Sequence, residues 1–282
     1  MRPECLLLLI SLLSGCIWSE GSSTTNRSQN ISFDLGQEQG CVYFTDGNGT
    51  VKLYNETDKS IKRIEEIDLV CSTVRVSEVK KWIAVTTTLN DKELHPEIVL
   101  FSIESGHPVR MFSVRGSAPC FSKKDGLLYF ARAKRKSLQT CFGGGSWVES
   151  DLWSLDVEKR AESQLTSERY FLLDSITHYP AKNQILYSSI PFPNGSIAAE
   201  KSIRQFDLEH RTVELVAGMP RSYCSDPSIS MSGNRMAFVS DVGRHFFYDV
   251  LLKDFQTNEA VFPPSYKNWS LFSTTKVWRI NG

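Results

Sequence analysis

The amino-acid sequence predicts an all-β chain built as a propeller of four-stranded blades, and three observations carry that reading. A short motif ending on an aromatic or branched residue recurs at Phe44, Val85, Phe130, Tyr187 and Phe238. Each copy is followed by two further apolar alternations of strand length. Helical periodicity runs over no useful length of the chain. Strand-rich repeats with a period of about 40–50 residues indicate blades, whereas a β-sandwich has no reason to repeat one turn motif.

The five copies are GQEQGCVYF (36–44), SEVKKWIAV (77–85), SKKDGLLYF (122–130), YPAKNQILY (179–187) and SMSGNRMAF (230–238). Each reads as a polar turn leading into the second strand of a blade, the strand packed between neighbours. A third strand follows in TVKLYN, EIVLFS, SDLWSLD, SIRQFDL and FFYDVLLKD, and a fourth in SIKRIE, PVRMFS, ESQLT, TVELV and EAVF. The tail WSLFSTTKVWRING (269–282) has the pattern of two more strands. The expectation is therefore a six-bladed plan, with five recognisable repeats plus a partial sixth. In that plan NISFDL (30–35) closes the ring or the chain is incomplete, and a closed five-bladed ring is the alternative.

The motif resembles the repeat of TolB-like propellers, which are related to WD-repeat blades. Asp226 to Ser230 with Gly233 to Phe238 carry the resemblance best, and Pro119, Ser122, Asp125, Gly126, Tyr129 and Phe130 form the next copy. It covers residues 33–282, the expected propeller domain, and implies a fold more than a function. Prolyl-oligopeptidase-type enzymes use a similar propeller as a gate, but their hydrolase domain needs some 200 further residues than this chain offers.

Residues 1–16 read as a signal peptide. MRPECLLLLISLLSGC has an early positive charge, an apolar run too short to span a bilayer as a mature helix, and small residues before Cys16. Leu13 to Cys16 resemble a lipobox, which makes Cys16 the candidate lipid attachment site and residues 17–32 a Ser/Thr/Asn-rich tether. The implied address is the cell envelope, on the periplasmic or surface side of a bacterial membrane. Sequons at Asn26, Asn30, Asn48, Asn55, Asn194 and Asn268 pull towards a secreted eukaryotic glycoprotein, with Asn48, Asn55, Asn194 and Asn268 as the candidate glycosylation sites within the propeller. Both readings export the chain.

Lys plus Arg and Asp plus Glu both total 32, for a formal net charge of zero. No overall field favours nucleic acid, and a membrane is engaged only through the N-terminal lipid. Cys41, Cys71, Cys120, Cys141 and Cys224 are odd in number and lack CxxC spacing, so metal binding by thiolates is not expected. They fit either one or two disulfides or buried free thiols. The histidines at 95, 107, 178, 210 and 245 share no metal-binding spacing and read as surface or turn residues. No G-x-S-x-G elbow and no P-loop is present. The expectation is no catalytic residue, no metal and no cofactor.

The candidate binding element is the excursion AKRKSLQTCFGGGSWVES between the second and third strands of the third repeat. It reads as a long loop carrying Lys134, Arg135, Lys136, Phe142 and Trp147. SIPFPNGSIAAEKS (189–202) occupies the equivalent place in the next repeat. Together these features suggest a monomeric, non-catalytic module for a protein, peptide or glycan. The rival is a propeller lyase or glycosidase acting on polysaccharide, which would need several His, Asp or Glu side chains converging at the central channel.

Overall fold

In the computed structural model of this chain, the residues described are 33–35, 41–87, 96–141, 145–191, 200–218, 223–240, 249–261 and 278–279, apart from positions 47, 78, 169, 231 and 258. They form five antiparallel blades in chain order. Blade 1 is β1 (Phe33–Leu35), β2 (Cys41–Thr45), β3 (Val51–Asn55) and β4 (Ser60–Arg63). Blade 2 is β5 (Cys71–Val76), β6 (Trp82–Thr87), β7 (Glu97–Ser102) and β8 (Val109–Arg115). Blade 3 is β9 (Ser117–Phe121), β10 (Leu127–Cys141), β11 (Gly145–Asp156) and β12 (Ala161–Gln164). Blade 4 is β13 (Tyr170–Tyr179), β14 (Gln184–Pro191), β15 (Ser202–Asp207) and β16 (Val213–Ala217). Blade 5 is β17 (Cys224–Ile229), β18 (Arg235–Ser240), β19 (Asp249–Asp254) and β20 (Glu259–Val261), with β21 (Trp278–Arg279) added at its edge. The only helical element among the described residues is a 3-10 turn at Pro180–Lys182.

Five blades, not six, are therefore present among the described residues, and the five-bladed alternative fits better than the six-bladed plan. Two segments reserved for a sixth blade are used elsewhere. Phe33–Leu35 pairs with Val42 to Phe44 as the first strand of blade 1, because the first repeat needs an inner strand and this apolar segment is the nearest one in the chain. Trp278 and Arg279 pair with Ala260 and Glu259, extending blade 5.

The repeated motif has a packing logic. Its final residue sits on the second strand, and in blades 2 to 5 it faces the preceding blade. Val85, Phe130 and Tyr187 are 0% exposed and Phe238 is 1% exposed. Side chains alternate between the two sheet faces, so Ile83 and Val85 enter the core with blade 1, while Trp82 and Ala84 enter the core with blade 3. The same alternation builds the cores between blades 3 and 4 and between blades 4 and 5. Phe44 is only half-buried, and no core cluster joins blade 5 to blade 1 among the described residues.

The turn residues are explained by the same contacts. The hydroxyl of Ser77 accepts from the Lys80 amide (2.9 Å), that of Ser122 from the Lys124 amide (3.2 Å), and that of Ser230 from the Arg235 amide (3.2 Å). Each serine thus ties down the turn into its second strand. A Cβ on Gly126 would lie 3.2 Å from Trp82 of the blade before. A Cβ on Gly233, which has φ +73°, would lie 3.0 Å from Tyr179 of the blade before. Glycine serves there because the neighbouring ring closes over the turn.

Candidate functional site

Neighbouring blades approach one another along their first strands: β1 meets β5, β5 meets β9, β9 meets β13 and β13 meets β17. Blades fan outward from an axis, so these are the inner strands, and their exposed side chains line the channel. Three of the inner strands share a defect at one level. In blade 3, Ala118 and Pro119 together oppose Phe130; in blade 4, Ser175 and Ile176 oppose Tyr187; in blade 5, Asp226 and Pro227 oppose Phe238. Each is a β-bulge, two residues against one, placed opposite the buried aromatic of the motif. The first residue of each pair is left-handed, with φ +49° at Ala118, +52° at Ser175 and +53° at Asp226. The bulge also explains Pro119 and Pro227, since a residue outside the ladder needs no N–H.

The bulges of blades 4 and 5 touch. The Ser175 hydroxyl donates to Asp226 Oδ1 (2.7 Å), and Ser225 donates to Asp226 Oδ2 (2.8 Å). Thr177 donates to the carbonyl of Pro227 (2.6 Å). Behind them Lys201 pairs with Asp174 at 2.9 Å. Burial pushes the Asp174 carboxyl above its usual range, and the neighbouring charge of Lys201 only partly offsets this. Ser188, the cross-strand partner of Asp174, is fully buried and its hydroxyl has no hydrogen-bond partner among the described residues. Asp226 is exposed. The arrangement offers a fixed carboxylate, hydroxyls and bulged backbone at one end of the channel.

The arm rises from that same end. Ala131 pairs with Ser117, beside the blade 3 bulge, and β10 then continues past the start of β9 to Cys141. Its partner β11 starts at Gly145, and the two remain paired through Arg135 opposite Glu149 and Lys136 opposite Val148, with register shifts between Ala133 and Arg135 and between Lys136 and Thr140. The expected long loop is therefore a hairpin arm, because the second and third strands themselves run on into it, to Cys141 and from Gly145. Its base is braced: Arg132 pairs with Glu162 (2.5 Å), donates to the Arg115 carbonyl (3.0 Å) and lies 4.5 Å from the Trp153 ring centroid. A single pairing, Ser150 with Tyr170, joins β11 to β13 and links blades 3 and 4.

The sequence-predicted residues divide accordingly. Lys134, Arg135 and Lys136 lie in β10 and Trp147 in β11, while Phe142 falls outside the described residues. Cys16, Asn194 and Asn268 also lie outside them. Asn48 is exposed in a turn, and the Asn55 side-chain carbonyl accepts from the Thr57 amide (2.9 Å). No disulfide joins Cys41, Cys71, Cys120 and Cys224 among the described residues. Burial raises the Cys71 thiol to about 12, far from thiolate chemistry. His178 corrects the expectation of a surface histidine. It is buried against Tyr129, and its Nδ1 accepts from the Lys123 amide (2.9 Å). Asp174, Ser175, Lys201 and Asp226 were not foreseen as a group; the available signal was the Asp-Pro of the motif itself. No group of three or more His, Cys, Asp or Glu residues suited to a metal occurs among the described residues.

No protein-family profile matches this sequence, and no curated protein matches it either. Solved structures do match. The chain is similar to a TolB candidate from Agrobacterium tumefaciens, at 16% identity and a TM-score of 0.61, over 82% of this chain and 79% of that one. It is similar to a structure described as a nidogen/laminin complex at 12% identity and a TM-score of 0.59, over 88% and 82%. It is also similar to an oligogalacturonate lyase in complex with manganese at 8% identity and a TM-score of 0.51, over 81% and 71%. The fold is a β-propeller with four-stranded blades. Among the described residues no helix is long and apolar enough to cross a membrane.

Proposed function

We propose that this protein is an exported, lipid-tethered propeller that binds a protein, peptide or glycan at the arm-bearing end of its channel and performs no chemistry. The observation that carries this reading is the convergence on one end of three bulged inner strands, the Asp226 carboxylate and the β10–β11 arm. Binding surfaces on rigid scaffolds concentrate in such places. A similar propeller occurs in a structure described as a nidogen/laminin complex, which is consistent with recognition of another protein. The envelope address rests on the lipobox-like Leu13 to Cys16.

The test places a photo-crosslinking amino acid at Lys136 or Ser225, and as a control at Lys124 in the turn at the opposite end. Irradiation in cells that make the protein should give discrete adducts from the first two sites and none from the third. Adducts from Lys124 alone would reverse the assignment of the binding face. Cys16→Ala should move the protein from the detergent phase to the aqueous phase; an unchanged partition would remove the lipid anchor.

A catalytic reading is favoured by one observation, the buried Asp174 with its raised proton affinity beside Lys201, on a fold also used by an oligogalacturonate lyase. Incubation with oligogalacturonate and manganese should then yield unsaturated uronate, and Asp174→Asn should abolish it.

A further inference from the structure

A buried imidazole that accepts a main-chain amide is committed to its neutral form, since the accepting nitrogen holds no proton. His178, on the inner strand of blade 4, is 2% exposed and sits in that position. Its Nδ1 accepts the amide of Lys123 (2.9 Å), in the turn that leads into β10 of blade 3. The ring packs against Tyr129 of the same blade, with centroids 5.6 Å apart. The next residue, Tyr179, holds the other neighbour, because its hydroxyl donates to the Gly233 carbonyl in the blade 5 turn. The end of β13 therefore clamps a turn on each side, one through an imidazole and one through a phenol. Burial raises the proton affinity of Tyr179, so the phenol keeps its proton across acidic and neutral pH. The imidazole side rests on a group that ordinarily titrates at about pH 6.5. Around it stand Tyr129 and Cys120 of blade 3, the exposed Lys123, Lys124 and Asp125 of the turn, and Tyr187 on β14. Burial raises the Tyr129 and Tyr187 phenols, which stay neutral. Asp151, Glu168 and Arg204 lie towards the other end of the junction, around Tyr170 and Tyr187. Two lysines against one aspartate leave the turn no excess of negative charge to hold a cationic imidazole.

We infer that His178 is an acid-sensitive latch at the blade 3–blade 4 junction: proton uptake releases the Lys123 turn and loosens blade 3 from blade 4. With a proton on Nδ1, the imidazole and the Lys123 amide would be two donors aimed at each other, and a charge would occupy a buried site. The junction therefore takes up the proton only with the turn detached, whereas a detached imidazole takes it up below about pH 6.5. The released state then binds one more proton than the latched one. The latch is complete above about pH 6.5 and weakens as pH falls below it. With no proton on the latched imidazole, the released population grows roughly 25-fold relative to the latched one from pH 7 to pH 5. Blade 3 carries the arm, but the inference rests on the His178 contacts and is independent of the binding role proposed above.

Hydrogen exchange of single backbone amides in the full chain, corrected for the intrinsic pH dependence of exchange, tests the latch. The opening equilibrium reported by the Lys123 amide should rise roughly 25-fold from pH 7 to pH 5. That of Gly233, whose amide donates to the Ser230 carbonyl in the turn held by Tyr179, should stay constant. In His178→Gln the side-chain carbonyl accepts but does not titrate, so the rise at Lys123 should vanish. Nuclear magnetic resonance of the imidazole nitrogens gives a wild-type readout that needs no variant to fold. Nδ1 should be the unprotonated nitrogen at neutral pH, and its protonation should track the loss of Lys123 protection. A Lys123 amide indifferent to pH, an equal rise at Gly233, a rise preserved in His178→Gln, or a ring that gains its proton while Lys123 stays protected would overturn the proposal.

Discussion

Replacing Phe238 by alanine tests the repeat register most directly. Phe238 is 1% exposed and lies in the core formed with Leu186, Ile203, Val216 and Met236 of the blade 4–blade 5 junction. Truncating a buried phenylalanine removes its transfer free energy and leaves a cavity, a loss of about 3–5 kcal/mol. Against a typical total of about 5–15 kcal/mol this is a large fraction. At about 2–4 °C per kcal/mol for a domain of this size, Tm should fall by roughly 6–20 °C. Phe44 occupies the same register in blade 1 but is half-buried, with no described blade packed over it. Phe44→Ala should therefore cost clearly less, on the order of 1–2 kcal/mol. Urea melts of both variants followed by tryptophan fluorescence give the comparison. Equal losses would mean that blade 1 is covered as completely as the others and that the inter-blade accounting is wrong. A loss below about 1 kcal/mol at Phe238 would refute the register itself.

Two further outcomes follow from local geometry. Ala118→Gly should stabilise the protein by up to about 1 kcal/mol, since the left-handed backbone at φ +49° strains any side chain; a destabilised variant in the same urea melt would show that the Ala118 methyl packs usefully. For Asp46, burial works against the charge, but Lys52 and the amides of Thr50 and Asn48 outweigh it and hold the carboxyl below its usual 3.8. Its contribution is thus present above pH 3.8 and is lost as pH falls through the lowered value. Asp46→Asn should be less stable than wild type at neutral pH and converge with it in strong acid, and a constant gap across the pH range would contradict the assignment.

The fold was legible because it is written in contacts that repeat. Serine in the turn, glycine beneath the neighbour's ring and an aromatic at the end of the motif recur together in blades 3 and 5, so the pattern survives in the sequence. Blade number was harder to read. KVWRING alternates as well as any inner strand, and sequence pattern does not say whether such a strand starts a new sheet or extends an old one. The arm was placed correctly between second and third strands but read as a loop, because a basic, glycine-containing segment gives little apolar alternation, while the ladder between Arg135 and Glu149 depends on the partner strand.

The channel-end site was illegible for a different reason, and the difference bears on function. A core position is specified by one neighbour at a fixed spacing, so residues such as Phe130 and Phe238 announce themselves. Asp226 becomes part of a site only when blade 4 delivers Ser175 against it and Lys201 is drawn to Asp174, contacts that span 51 and 27 residues of chain. The proline that follows Asp226 is the visible trace of this arrangement. It is tolerated because the strand leaves its ladder opposite Phe238, and the same bulge leaves the carboxylate exposed and within reach of the Ser175 hydroxyl. The same short motif therefore does two jobs in blade 5: its aromatic holds the ring together, and its Asp-Pro opens the inner strand. One bulge residue, alanine in blade 3, serine in blade 4 and aspartate in blade 5, thus sets the chemistry that each inner strand carries at this level.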